Sequence, residues 1–417
     1  MGLPSWYAVA VLFLVSVFNF MDRQLLAILL EPIKRDLGAS DTVMGLLTGF
    51  AFVLFFALAS VPIARAADVR SRRNIIAGAL AFWSVMTMLS GLATSFVQLA
   101  AARVGLGLGE AATSPAGQSM ISDLFSRTRR TAPLSVLAVA APVGFMVAFV
   151  LGGYLNQAIG WRMTFVALGA PGLLLAIIVM MTVREPRRGG TEEGVWIDEG
   201  RYEFHDAISY LSSLRSLRWL VAGAALNVFA AWAALVWSAS FLIRVHGLDT
   251  SAAGAALGFG IGVGGAVGTF LGGLAAGYLG RRDTRWLLWI PALTSLLAVP
   301  FLVLFLSVPV AAAPAMYFGT ALFGPSMLGP VMSVTQGLAK VRMRALAAAL
   351  TAMAFNLFGA GLGPLTVGVL SDYLSPDFGP ESIRYALLFP VTVALLGAAI
   401  CFFRGASHVR NELNRVA

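Results

Sequence analysis

Residues 11–31 read VLFLVSVFNFMDRQLLAILLE, an apolar run long enough to cross a bilayer, with Asp22 and Arg23 set in its second half. A charged side chain near the middle of a membrane helix costs about 2.5 to 3.5 kcal/mol on insertion scales. Two adjacent charges therefore need partners or a water-filled cavity. What they face is the question the rest of the chain has to answer.

The run has many companions. Of 417 residues 59% are apolar and only 12% charged, against roughly 45–50% apolar in soluble domains; the mean hydropathy is +0.83. Apolar stretches near or above spanning length occur at 6–30, 43–63, 75–92, 96–121, 134–159, 163–183, 217–245, 252–279, 287–306, 309–338, 345–370 and 383–403. They lack the alternation of a membrane strand, so they predict twelve transmembrane helices. No positive charge precedes the first run, which is too long for a secretory signal and contains an acid, so it is expected to remain in the mature chain.

The net charge of +9 is unevenly placed. Lys34, Arg35, Arg162, Arg244 and Arg384 fall on one side, Arg23 and Arg103 within the membrane, and the remaining Lys and Arg in the opposite loops and the tail. By the positive-inside rule both termini are cytoplasmic. Basic loops of this kind orient the chain and meet anionic lipid headgroups, which removes the need for a nucleic-acid partner. Cys401 is the single cysteine, so no internal disulfide or cysteine metal site is possible. His205, His246 and His408 lie in loops or the tail, so proton coupling in the membrane must use carboxylates.

The longest polar break, 184–216, contains EPRRGGTEEG and then FHDAISYLSSLRSL, where Phe204, Ile208, Leu211 and Leu214 recur at helical spacing. A short amphipathic helix on the inner surface is expected there. The break separates a six-helix bundle, 1–183, from a second, 217–403, followed by a tail, 404–417. Ala64, Asp68, Ser71, Arg72 and Arg73 after the second run recur in spacing as Gly273, Gly277, Gly280, Arg281 and Arg282 after the eighth, and Gly153 corresponds to Gly368. Such matches point to internal duplication.

Twelve spans, a six-plus-six division and a loop of the form G-x-x-x-D-x-x-G-R-R resemble the major facilitator superfamily. Within it, NFMDRQLLAILLEPIKRDL, PIARAADVRSRRNII and RVGLGLGEAATSPAGQSMISDLF resemble the spinster-type transporters. The chain departs from the pattern where Ala64 and Ser71 replace glycines of the first loop and Gly277 replaces the acid of the second. The resemblance implies an all-α fold of two pseudo-symmetric bundles that rock about a substrate, in the plasma membrane of a bacterium. It also implies lysophospholipid or sphingoid-phosphate cargo.

Four charges lie inside the spans: Asp22, Arg23, Arg103 and Glu110. Arg103 and Glu110 are seven apart, which returns to nearly the same helix face about 10 Å further along. Counting rise from the helix starts puts Asp22 and Arg103 in one half of the bilayer and Glu110 near its midplane. The resemblance places the first and fourth helices face to face and implicates the matching residues in coupling. A proton-coupling set of Asp22, Arg103 and Glu110 is therefore expected; a static buried pair that fixes helix packing is the alternative.

Arg23, Asn19 and Ser114, with Asn227, Trp232, Tyr317 and Asn356 of the second half, are the expected substrate-cavity residues. Packing or interface anchoring is the competing reading for the aromatics. A half with charges and a half without suits an amphiphile with an anionic head; small organic anions or drugs are the runner-up cargo. By resemblance, Asp68 with Arg72, Arg73, Arg127 and Arg344 forms a cytoplasmic gate. Gly260, Gly262 and Gly265 have dinucleotide-fingerprint spacing but follow no strand, so helix contact explains them better. With no metalloprotease helix, nucleophile elbow or Walker loop, no enzyme is predicted, and no cofactor beyond protons. Membrane lipid and an amphiphilic small molecule are the expected partners of a monomeric chain.

Overall fold

The computed structural model describes residues 3–126, 129–186, 204–340 and 343–416, excluding the side chains of residues 3, 4, 61, 64, 67–69, 114, 115, 131, 204, 345, 415 and 416. Among the described residues every regular element is helical. The first span is α1 (Leu3–Ile28), followed by α2 (Leu30–Leu37). The second comprises α3 (Asp41–Leu46), a π-helical turn (Leu47–Ala51) and α4 (Phe52–Val69). Next come α5 (Arg72–Gly91), then α6 (Phe96–Glu110) with α7 (Thr113–Leu124). The fifth and sixth spans form α8 (Thr131–Thr182).

The short α9 (Phe204–Ser213) leads into α10 (Arg215–His246). The eighth span is α11 (Thr250–Phe259), a π turn (Gly260–Gly264) and α12 (Gly265–Gly280); α13 (Trp286–Ser307) is the ninth. The tenth joins α14 (Ala313–Phe323) to α15 (Leu328–Leu338) through a 3₁₀ turn (Gly324–Met327). The eleventh joins α16 (Arg344–Ala354) to α17 (Leu362–Phe378) through a π segment (Phe355–Gly361), and α18 (Ser382–Val416) completes the chain.

Eight described segments are long and apolar enough to cross a bilayer. Ala132–Thr182 and Leu346–Asn414 are each long enough for two spans. The fourth and tenth spans are broken into helices too short to qualify singly, which accounts for the twelve expected. Each break has a local cause. Pro115 has no N–H to give the Ala111 carbonyl, and the fourth span opens at Ala111–Ala112 just after Glu110. Gly160 turns the fifth span into the sixth at φ 77° and ψ 162°, a conformation only glycine adopts readily.

The helices group into two compact units: Met1–Ser40, Ala51–Trp196 and Leu248–Gly258 form unit 1, and Asp41–Phe50, Ile197–Gly247 and Phe259–Ala417 form unit 2. This grouping differs from a single cut at the linker, because the first parts of the second and eighth spans join the unit formed mainly by the other half. Bare glycines allow it. In unit 2, a Cβ on Gly45 or Gly49 would come within 2.5 Å of the Pro364 or Gly361 carbonyl oxygen. In the same unit, Arg244 grips Asp41 through both terminal nitrogens at 2.5 Å each, while Asp372 accepts from the amides of Asp41 and Thr42. In unit 1, Gly254 and Gly153 lie against the carbonyls of Phe149 and Thr250 in the same way.

The expected amphipathic helix is present as α9, and part of it packs on protein while Ile208 stays exposed. Ala207 and Leu211, one turn apart, are buried with Leu338 and Val409, and Tyr210 donates to the Leu338 carbonyl at 3.3 Å. The expected tail is likewise ordered as the end of α18. Its Glu412 accepts from the backbone amides of Arg215 at 2.9 Å and Ser216 at 3.1 Å, and from the Ser216 hydroxyl. Leu214, at the cap position of α10, has no side chain able to do this. Glu412→Ala is therefore expected to cost about 1 kcal/mol, the usual worth of a helix cap, and to lower the unfolding temperature in detergent; an unchanged melting curve would contradict this role.

Candidate functional site

Arg103 on α6 is 3% exposed and must find acceptors inside the bundle. Its two terminal nitrogens donate to the backbone oxygen of Asp22, each at 3.2 Å, and one also donates to that of Arg23 at 3.3 Å. A carbonyl has two lone pairs, and a helix uses one of them, so the guanidinium fork can take the other. The first and fourth spans thus meet with Arg103 at the height of Asp22. Their contact runs through main-chain oxygens of α1 rather than through the Asp22 carboxylate.

That carboxylate is fully buried, and neither oxygen has a hydrogen-bond partner among the described residues. Glu110, the last residue of α6, is 1% exposed and its two oxygens are equally without donors. Arg23, Asp22 and Arg103 are the charges that act on it. Arg23 is half-buried, with its guanidinium carbon 4.5 Å from the Phe52 ring centre and 5.7 Å from that of Phe56. Such stacking stabilises a cation by about 0.5–2 kcal/mol.

The glycine row of α6 admits the surrounding helices. A Cβ on Gly105 would come 2.6 Å from Met86 of α5, and one on Gly109 would come 3.0 Å from both Phe82 and Trp83. Gly107 faces Phe52 of α4 at 3.4 Å. Four charges whose sum is zero when all are ionised are therefore enclosed in one unit.

The other expected residues are dispersed. Asn19 donates to the Thr113 hydroxyl at 3.4 Å, beside the break in the fourth span, and the Ser114 side chain lies outside the described residues. Asn227 is 1% exposed and donates to Ser295 at 2.9 Å, tying α10 to α13. Tyr317 is buried with its ring 5.1 Å from that of Phe305; Asn356 donates to Ala352 of its own helix at 2.9 Å; Trp232 is half-buried. In this structure the polar groups of Asn227 and Asn356 are engaged in packing.

Among the expected gate residues, Arg72 is taken up within unit 1. Only 2% exposed, it pairs with Asp123 at 2.5 Å and Glu185 at 2.9 Å, and donates to Ser119 at 2.9 Å and the Pro186 carbonyl at 3.1 Å. Glu185 also accepts from the Ser71 hydroxyl and the Arg73 amide, both at 2.8 Å, and so caps α5. The Arg73 side chain turns to Asn74, and Arg344 is exposed. The Asp68 side chain and all of Arg127 lie outside the described residues. Sequence reasoning missed Glu185, although an acid directly after the sixth span, beside basic loops, is a usable signal.

Comparison with known proteins is consistent with this architecture. A family model described as the Major Facilitator Superfamily matches residues 12–360. An MFS-type efflux pump of Mycolicibacterium smegmatis is 35% identical, over 98% of this chain and 94% of that protein. A sphingosine-1-phosphate transporter of Danio rerio is 25% identical, over 98% of this chain and 87% of its own length. A solved bacterial homologue of the human lysosomal transporter spinster, inward-facing and unoccupied, matches with a TM-score of 0.85 at 27% identity, over 99% of this chain and 98% of that one.

The Arg72 network makes its own prediction. Burial raises the Glu185 carboxyl, but the Arg73 amide, the Arg72 guanidinium and the Ser71 hydroxyl outweigh it and hold the group below the usual glutamate range. A depressed carboxyl contributes stability above its unfolded value that is lost as pH falls through its folded one. Glu185→Gln is therefore expected to lower the unfolding temperature at pH 7, with the difference from the parent chain beginning to shrink below about pH 4 and disappearing once pH has fallen through the depressed folded value. A difference independent of pH would contradict this.

Proposed function

The chain belongs to the Major Facilitator Superfamily and is a multi-pass membrane transporter, and from that premise we propose that it is a proton-coupled carrier of a lipid-like or amphiphilic anion. The observation that carries the reading is the pair of buried carboxyls, Asp22 and Glu110, which have no hydrogen-bond partner among the described residues and are enclosed with two arginines. Asp22 and Glu110 exchange protons. Arg103 holds the first span against the fourth and supplies the compensating field. When the carboxyls are neutral the cluster is left positive, and Arg23, partly exposed against Phe52, meets an anionic head.

Alternating access then comes from two six-helix bundles, 1–183 and 217–403, joined by the 184–216 linker, with both termini in the cytoplasm of a bacterium. Asp68, Arg72, Arg73, Arg127 and Arg344 form the inner gate, with Arg72 anchored on Asp123 and Glu185. Trp232, Tyr317, Asn227 and Asn356, from a half whose spans carry no interior charge, line the path of the apolar tail. The name of the zebrafish relative supports a lipid phosphate as cargo. The name of the mycobacterial relative, an efflux pump, supports export as the direction; small organic anions or drugs are the second reading of the cargo.

A thermal-shift and counterflow panel separates the two. Purified protein and liposomes are offered lysophospholipids, sphingoid phosphates and small organic anions at pH 6 and pH 8. The lipid anions are expected to stabilise and exchange, and to bind tighter at the lower pH. Binding by small hydrophilic anions alone, or affinity that is flat with pH, would overturn the proposal.

A further inference from the structure

Because the Arg103 guanidinium is occupied by main-chain oxygens, the Asp22 carboxyl is left to other neighbours. Its polar neighbours are both on α5: the Trp83 indole and the Thr87 hydroxyl. All three residues have no measurable exposure. Neither carboxylate oxygen, nor Trp83 Nε1, nor Thr87 Oγ1, has a hydrogen-bond partner among the described residues. Two donors one helical turn apart thus neighbour an acceptor with two oxygens, all four atoms buried and unbonded. Gly109 supports the arrangement, since its bare Cα lets the α6 backbone close on Trp83 immediately before Glu110.

The match is one of chemistry as well as position. An indole N–H can only donate, so it has no complement in a neutral aliphatic surrounding and a strong one in a carboxylate. The hydroxyl of Thr87 can donate to the ionised acid or accept from the protonated one. The charged groups around Asp22 are Arg103 and Glu110 of α6 and Arg23 of its own helix; α5 brings no charge to this depth, and α8 presents Phe165 toward Arg103. The neutral donors on the third span are the groups that distinguish the two protonation states by direct bonding.

We infer that Trp83 and Thr87 are positioning residues for Asp22, donating an N–H and an O–H to its carboxylate once the proton has left and releasing it on reprotonation. The third span thereby sets the pH at which Asp22 exchanges its proton with solvent. The inference rests on the proton-coupling reading for its importance, though its chemistry is readable without transport.

Infrared titration of the reconstituted protein tests it, following the carboxyl C=O band that Asp22→Asn removes. Thr87→Val and Trp83→Phe are each expected to move the midpoint of that band to higher pH by about one unit, because both remove a donor to the ionised form. Thr87→Ser, which keeps the hydroxyl, is expected to restore it. Variants that fold but titrate like the parent chain would overturn the inference, even if their unfolding temperatures fall. Should Trp83→Phe fail to assemble, the Thr87→Val and Thr87→Ser pair decides alone. Gradient-driven transport unaffected by Asp22→Asn would instead sink the coupling reading and leave the band titration interpretable.

Discussion

A guanidinium buried in a membrane bundle must be given acceptors, and Arg103 takes them from the backbone of the first span. Much of the site follows from that choice. A carboxylate partner would have tied Asp22 into a fixed ion pair; main-chain partners keep its carboxyl out of the joint between α1 and α6. Glu110 stands outside that joint in another way. It lies at the point where the fourth span unwinds before Pro115, so the helix that carries Arg103 ends at the second acid.

Glycine supplies the space for this arrangement. Gly105 and Gly109 bring α5 against α6, Gly107 brings in Phe52, and Phe52 in turn stacks on Arg23. A larger residue at Gly109 would press on Trp83 and Phe82 together, and so on the wall that faces Asp22. The same residue type serves a different purpose at Gly45, Gly49, Gly153 and Gly254, where close backbone approach determines which compact unit the leading parts of the second and eighth spans join.

The spans, and the shared height of Asp22 and Arg103, were legible because helix rise is constant and charges in apolar runs are few. Which lone pair Arg103 would choose was not legible, since periodicity gives a face and a height but not whether a side chain or a carbonyl stands there. The two trans caps escaped for a similar reason. Glu185 and Glu412 sit in polar segments that read as loop and tail, and their partners, the amides of Arg73, Arg215 and Ser216, carry no sequence signature. Periodicity likewise could not show that the Asn227 amide, a lone polar group in an apolar span, has Ser295 of the neighbouring helix within bonding distance.

The central claim is that protons move through Asp22 and Glu110 as substrate moves through the protein. The most direct measurement is proton flux into liposomes with a trapped pH dye when substrate is added to one side, comparing the parent chain with Asp22→Asn, Glu110→Gln and the two combined. The account predicts substrate-driven proton movement in the parent and none in the combined variant, which should still exchange substrate at equilibrium. Proton movement of undiminished size in that variant would contradict it.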